Sequence, residues 1–249
     1  MRILALDSSG LVATVAVIEE KEYDIETVAE YTVNYKKTHS QTLLPMLDEI
    51  KKMTELDLST IDAIAVAGGP GSFTGLRIGS ATAKGLGLAL KKPLIHIPTL
   101  EGLAYNLCGS SDLVCPIMDA RRDQVYTGIY EFDNDELVVV EDQMAVSIEE
   151  LGEKLKAYDR RIVFLGDGVP VFKKRLIEEI MPGCDIRFAA ANMNRQRAAS
   201  VGALAVKYYH AGKLESAADH QPDYLRLSQA ERERKERKER KERVERAEG

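Results

Sequence analysis

The chain has 249 residues, 45% of them hydrophobic and 30% charged, which suffices for one large domain or two small ones around a sizeable core. No apolar run reaches membrane-spanning length, so no membrane association is expected. The net charge of −6 argues against a large nucleic-acid footprint: nine Lys/Arg and seven Glu over residues 231–248 make the tail +2 and leave −8 on the rest.

From the N-terminus, residues 2–7 and 12–18 are expected as two strands flanking a tight hairpin, Asp7-Ser8-Ser9-Gly10. The first apolar run stops at Asp7, too early for a secretory signal. A third strand fits 27–35. Thr38 is expected to cap a helix over 40–53, with Gln41 completing a capping box. Leu43, Leu44, Leu47 and Ile50 recur on that helix at helical spacing, and Pro45 implies a kink or a later start. His39, at its entrance, is read as a capping or packing group rather than a ligand.

An apolar strand over 61–67 runs into Gly68-Gly69-Pro70-Gly71-Ser72-Phe73-Thr74-Gly75-Leu76-Arg77-Ile78-Gly79, a glycine-rich turn from strand to helix. It is not a P-loop, which needs Lys and then Ser/Thr after its last glycine, whereas Leu76-Arg77 follow Gly75. Gly75, Gly79, Ala83 and Gly87 recur every four residues and form one small-residue stripe. Each helix glycine costs about 1 kcal/mol against alanine. A close neighbour is expected to offset that cost, either the chain's own sheet or a helix of another subunit.

A strand over 94–97 and a helix over 99–107 precede the polar break Gly109-Ser110-Ser111-Asp112, where a domain boundary is expected. Strands over 113–118, 124–132 and 137–140 follow, the first two joined by Asp119-Ala120-Arg121-Arg122-Asp123. Ser147 is expected to cap a helix, with Glu150 at the third position. A strand over 161–165 leads through Gly166-Asp167-Gly168 into a helix over 170–181, with Pro170 in its first turn. A last helix is expected over 196–210. Strand-hairpin-strand units followed by alternating helices and strands thus occur twice, which predicts two similar α/β halves around a cleft. Their expected bounds are 1–108 and 109–228. Residues 229–249 form a charged tail, expected to be disordered or a solvated helix. Cys108, Cys115 and Cys184 lack disulfide or metal-site spacing, so a cytoplasmic location is expected.

Asp7-Ser8-Ser9, Thr38-His39-Ser40-Gln41, the run from Gly69 to Gly79, Asp119-Ala120-Arg121 and Tyr224-Leu225-Arg226 together resemble the TsaB (YeaZ) family, glycoprotease homologues. That family is the dimerisation subunit of the bacterial machinery that makes threonylcarbamoyladenosine in tRNA. The resemblance covers residues 1–228 and excludes the tail. It implies an α/β fold of two related actin/Hsp70/sugar-kinase-like domains around a cleft. It also implies a non-catalytic role, pairing with a TsaD-type catalytic paralogue that holds metal and nucleotide. A TsaE-type ATPase would be reached through that complex, tRNA would be met only indirectly, and the chain alone would form a homodimer. The stripe Gly75, Gly79, Ala83 and Gly87, with His39, Leu43, Leu44 and Leu47, is assigned on this basis to the partner-binding face.

The catalytic paralogue resembles this chain around Thr99-Leu100-Glu101-Gly102-Leu103, where its own pattern is close to His-Leu-Glu-Gly-His. Two histidines four apart share a helix face and can hold a metal. Thr99 and Leu103 stand at those positions here. The remaining histidines (His39, His96, His210 and His220) have no paired spacing, so no metal is expected. A kinase of this fold would cradle phosphates between two hairpins, one per half. Asp7, Ser8 and Ser9 suit the first. Arg121 would serve the second, which lacks glycine, or would simply make a surface salt bridge; Gly166 and Gly168 resemble a degenerate adenosine loop or an ordinary strand-to-helix turn. The expectation is a relic nucleotide cleft and no cofactor, with ATP or ADP bound only weakly or at a subunit interface. The alternative is an ATP-dependent phosphotransferase of the same fold. Ser72 is not in a nucleophile elbow.

Overall fold

The structure, a computed structural model, describes residues 1–35 and 39–226. The expected cap at Thr38 and the charged tail lie outside the described residues.

The first sheet has β1 (Arg2–Asp7), β2 (Ala13–Glu20), β3 (Ile25–Val33), β4 (Ala63–Gly69) and β5 (Leu94–Pro98), in the order β3-β2-β1-β4-β5. The three N-terminal strands are antiparallel neighbours, and β4 and β5 join in parallel. β1 reads as a continuous apolar run because both of its faces are covered. Leu4 and Leu6 join one core with α1 (Leu43–Met53) and the inner face of α2 (Phe73–Leu90), while Ile3 and Ala5 join another on the opposite face. α1 begins at Leu43, so Pro45 falls in its first turn, where no backbone donor is lost to the helix. α2 begins at Phe73, which puts both Gly75 and Gly79 inside the helix.

α3 (Thr99–Ala104) ends the first half. The second sheet repeats the topology of the first, with β6 (Leu113–Asp119), β7 (Gln124–Asp133), β8 (Glu136–Ser147), β9 (Ile162–Leu165) and β10 (Ile186–Phe188) in the order β8-β7-β6-β9-β10. Substituting β6 for β1 and so on reproduces the first sheet strand for strand, so the fold is a duplicated α/β unit of the actin and sugar-kinase type. β8 runs well past the expected 137–140, because register shifts at Thr127/Ile129 and Ile129/Tyr130 keep it paired with the long β7. Ser147 caps α4 (Ile148–Lys156), its Oγ accepting from Glu150 N at 3.1 Å. α5 (Val169–Arg175) continues into a π-helical turn, Leu176–Ile180.

The expected second unit, 109–228, is not continuous in space. α6 (Ala198–His210) returns to the first sheet and packs Val201, Leu204 and Ala205 against Ile3, Ala5 and Ile18. The chain after α6 stays there: Glu215 pairs with Leu94 at the β5 edge. The cause is the apolar face of the first sheet, which α6 covers. No helix among the described residues is long and apolar enough to cross a membrane.

Candidate functional site

The glycine-rich turn folds over the hairpin that follows β1. Ser72 caps α2, its Oγ accepting from Gly75 N at 3.3 Å, while Ser72 N donates to Ser9 O at 2.6 Å. Ser8 is buried and its Oγ donates to Gly75 O at 2.9 Å. A Cβ on Gly75 would stand 2.0 Å from Ser8 O, and one on Gly79 would stand 2.6 Å from Ser8 Oγ. Ala83 is fully buried, and a Cβ on Gly87 would stand 2.8 Å from Ala217 Cβ. The stripe therefore seats α2 on the chain's own hairpin and C-terminal segment. Gly75, Gly79, Ala83 and Gly87 do not face a partner, because the chain's own atoms already occupy that space. Leu43 and Leu47 are also core residues; of the three α1 leucines in the assigned face only Leu44, 54% exposed, points outward.

The outward side of α2 carries Thr74, Arg77, Ala81, Gly85, Leu88 and Ala89. Leu88 is 61% exposed, and a Cβ on Gly85 would meet nothing within 4 Å. Gly85 thus carries the helix cost of glycine with no return from within the chain. The sequence did contain this signal, a glycine two positions off the stripe, but the stronger stripe drew the assignment.

Asp7, at the end of β1, is buried and accepts from Ser9 N at 2.7 Å. Burial pushes its carboxyl up to about 6, against the opposing pull of Ser9 and of His39. His39 is half-buried, and its Nε2 donates to Gly10 O at 2.9 Å, which ties the start of the α1 segment to the Asp7 hairpin. Gln196, just before α6, closes the group, packed against Gly10 and almost fully buried. Ser9 Oγ, His39 Nδ1 and both amide atoms of Gln196 are buried without a hydrogen-bond partner among the described residues. Such atoms are costly unless something else binds them. Sequence reading missed Gln196 because it lies almost the whole chain away from Asp7.

The second hairpin is internally satisfied. Arg121, Arg122 and Asp123 all take positive φ (65°, 57° and 56°), so the turn closes without glycine. Asp119 accepts from Arg121 N at 2.8 Å and pairs with its guanidinium at 3.0 Å, which makes Arg121 a surface salt-bridge residue. Gly166 N donates to Asn194 Oδ1 at 2.9 Å, and Gly168 N donates to Ile117 O at 3.0 Å. Both amides that could have held a phosphate are therefore already used. Asp167, which accepts from Asp119 N at 3.1 Å, has its carboxyl raised by burial.

Thr99 and Leu103 lie on α3 and are both buried. Thr99 Oγ1 accepts from Gly69 N at 3.1 Å, so it anchors the glycine-rich turn. Residues 26–234 match the family model TsaD, tRNA N6-adenosine threonylcarbamoyltransferase. The Bacillus subtilis strain 168 protein named tRNA threonylcarbamoyladenosine biosynthesis protein TsaB is 36% identical over 93% of this chain and 96% of its own length. The chain belongs to the TsaB family. The Escherichia coli K12 TsaB is 32% identical over 68% of this chain and 72% of its own. Among solved structures, a Pseudomonas aeruginosa protein described as similar to peptidase YEAZ superposes with a TM-score of 0.75 at 27% identity, over 90% of this chain and 99% of its own. The P. aeruginosa YeaZ gives 0.72 at 26%, over 90% and 100%. Within this TsaB-family chain, the residues assigned from sequence fall into two groups. Asp7, Ser8, Ser9 and His39 gather at one hairpin beneath α2, whereas Arg121, Gly166 and Gly168 belong to the second half.

Proposed function

We propose that the chain is the non-catalytic partner subunit in threonylcarbamoylation of the tRNA adenosine 3′ of the anticodon. It holds a TsaD-type catalytic paralogue in a competent conformation and reacts with nothing itself. The observation that carries this reading is the use made of Thr99 and Leu103, the positions where the paralogue's pattern has histidines. Thr99 satisfies a buried amide of the glycine-rich turn, and Leu103 packs with Leu100, Val114, Met118 and Leu165 between the two halves. A ligand at either position would orphan a buried donor or open a cavity. The relatives from B. subtilis and E. coli, named for tRNA threonylcarbamoyladenosine biosynthesis, support the pathway in this reading.

The docking surface is the outward side of α2 around Ala81, Gly85 and Leu88. A TsaE-type ATPase reaches the chain through the complex, tRNA is met through the paralogue, and the chain alone self-associates as a two-fold dimer. The site of action is the cytoplasm. ATP or ADP is bound weakly or at the subunit interface.

Reconstitution of tRNA modification with the purified paralogue and the other pathway components, read by mass spectrometry of digested nucleosides, tests this. Gly85→Arg is expected to abolish binding and modification, and Asp7→Ala to leave both largely intact. Full modification by Gly85→Arg, together with loss in Asp7→Ala at unchanged binding, would mean that the chain acts through its cleft.

One observation favours a second reading, a phosphotransferase of the same fold: the unpartnered polar atoms of Ser9, His39 and Gln196 around Asp7. ATP turnover by the isolated chain, lost in Asp7→Ala, would decide for it.

A further inference from the structure

His96 and His220 lie 124 positions apart in the sequence and come together at the β5 edge. His96 is on β5, and its ring fills the space left by Gly68, where a Cβ would stand 2.1 Å from the imidazole. After α6 the chain runs back along β5, with Leu94 N donating to Glu215 O at 2.9 Å and Glu215 N to Leu94 O at 3.0 Å. A turn held by Ser216 and Asp219 then drives His220 fully inside, its ring centroid 5.7 Å from that of His96. Ligand atoms of His96, Glu215 and His220 lie within 4.8 Å of one another. Asp223 Oδ2 is 3.3 Å from His96 Nε2.

Two features set this cluster apart from a hydrogen-bonded core histidine. His220 Nδ1 is bonded to Glu215 Oε1, yet its Nε2 is buried with no hydrogen-bond partner among the described residues. The Nε2 of His96 is also buried without a hydrogen bond and stands 3.3 Å from the Asp223 carboxylate. Two buried imidazoles, each beside a carboxylate, form the donor set of a divalent transition ion. Ligands of tetrahedral zinc stand about 3.3 Å from one another, so binding would draw these atoms together.

We propose that His96, Glu215 and His220, joined by the exposed Asp223 carboxylate as the fourth donor, form a binding site for a divalent transition cation of the zinc class, the ion replacing the proton shared by Glu215 and His220 Nδ1. The ion would act as a staple. It would hold the segment 214–226 to β5, and that segment makes several contacts with the rest of the chain. Lys84 Nζ donates to Ala218 O and His220 O, each at 2.9 Å, the Tyr224 ring packs tilted against Phe73 with centroids 4.7 Å apart, and Arg226 Nη1 donates to Ala120 O at 2.8 Å. Binding would thereby fix the start of α2 and tie the second hairpin to the first half. The reading is independent of any catalytic role and differs from the expectation drawn from histidine spacing, because spacing along the chain does not register neighbours brought together by folding.

The test uses the tag-free full-length chain, stripped with a chelator and then titrated with zinc chloride. One equivalent is expected by calorimetry and by elemental analysis after gel filtration, with a thermal midpoint raised by several degrees. Cobalt(II) is expected to show the visible absorption of a tetrahedral site. His96→Gln is expected to weaken binding by about a hundredfold or more and to remove the thermal shift. His210→Gln, remote from the cluster, is expected to keep both. Should His220→Gln fail to fold, Asp223→Asn at the rim provides a second variant, expected to weaken zinc and alter the cobalt spectrum. No saturable equivalent in the wild-type chain, or an equivalent unchanged in His96→Gln, would overturn the proposal.

Discussion

Ser8 and Gly79 touch across the junction of β1 and α2: the Ser8 hydroxyl stands 2.6 Å from the point a Gly79 Cβ would occupy, while donating to Gly75 O at 2.9 Å. The helix lies this close because Gly75 and Gly79 lack side chains. Gly85, on the outward side of the same helix, has open space instead.

A matched pair of substitutions separates these environments. Gly85→Ala is expected to stabilise the chain by up to about 1 kcal/mol, the helix-propensity gain with no clash. Gly75→Ala places its methyl on Ser8 O and is expected to destabilise by about 1–3 kcal/mol or more. Urea unfolding of the two variants measures both. Equal effects would mean that α2 is not seated on the hairpin.

The same contrast applies to association. Gly85→Arg should leave the thermal midpoint near that of the wild type while abolishing self-association in light scattering, since an unpaired interfacial charge is costly. Gly79→Arg should instead lower the midpoint sharply or prevent folding, because the side chain has nowhere to go but into Ser8 and Val66. A folded, stable Gly79→Arg that merely dissociates would return the stripe to the partner face.

Asp7 predicts a pH dependence with a definite sign. Burial raises its carboxyl from 3.8 in the unfolded reference to about 6 in the fold. Its contribution to stability is therefore fully present below about 3.8 and is lost as pH rises through about 6. The loss amounts to roughly 3 kcal/mol. Asp7→Asn keeps an acceptor for Ser9 N and removes the charge. It is expected to be more stable than the wild type above pH 6, by up to that amount, and to converge with it near pH 4. Denaturation curves from pH 4 to 7.5 would show the difference narrowing on acidification, and a constant difference would contradict the assignment.

Truncation distinguishes the tail from the segment before it. Removing residues 229–249 is expected to leave the thermal midpoint nearly unchanged, since the Glu-Arg-Lys repeat has no apolar face to bury. Ending the chain after Gly212 removes the Glu215–Leu94 bridge, buried His220 and the Ala217 contact with Gly87, and is expected to lower it by about 10 °C or more. Scanning calorimetry of the two truncations reads this directly.

What the sequence determined by itself was local. The apolar runs marked most of the strands, Ser147 with Glu150 marked the start of α4, and the run from Gly69 to Gly79 marked a strand-to-helix turn and the family. These depend on residues within a few positions of one another. The four-residue repeat of Gly75, Gly79, Ala83 and Gly87 also showed that something approaches α2 closely. It could not say what, because a helix face records the size of its neighbour and not its origin. Tertiary structure decided that the neighbour is Ser8, more than sixty positions earlier, and that the free side is the one with Gly85. It likewise brought Gln196 to Asp7, and His220 to His96, by returning α6 to one apolar face of the first sheet and the segment after it to the β5 edge beside α2. Periodicity reports a face and composition reports a class. Which two faces meet depends on where buried area is gained, and that is fixed only when the whole chain has closed on itself.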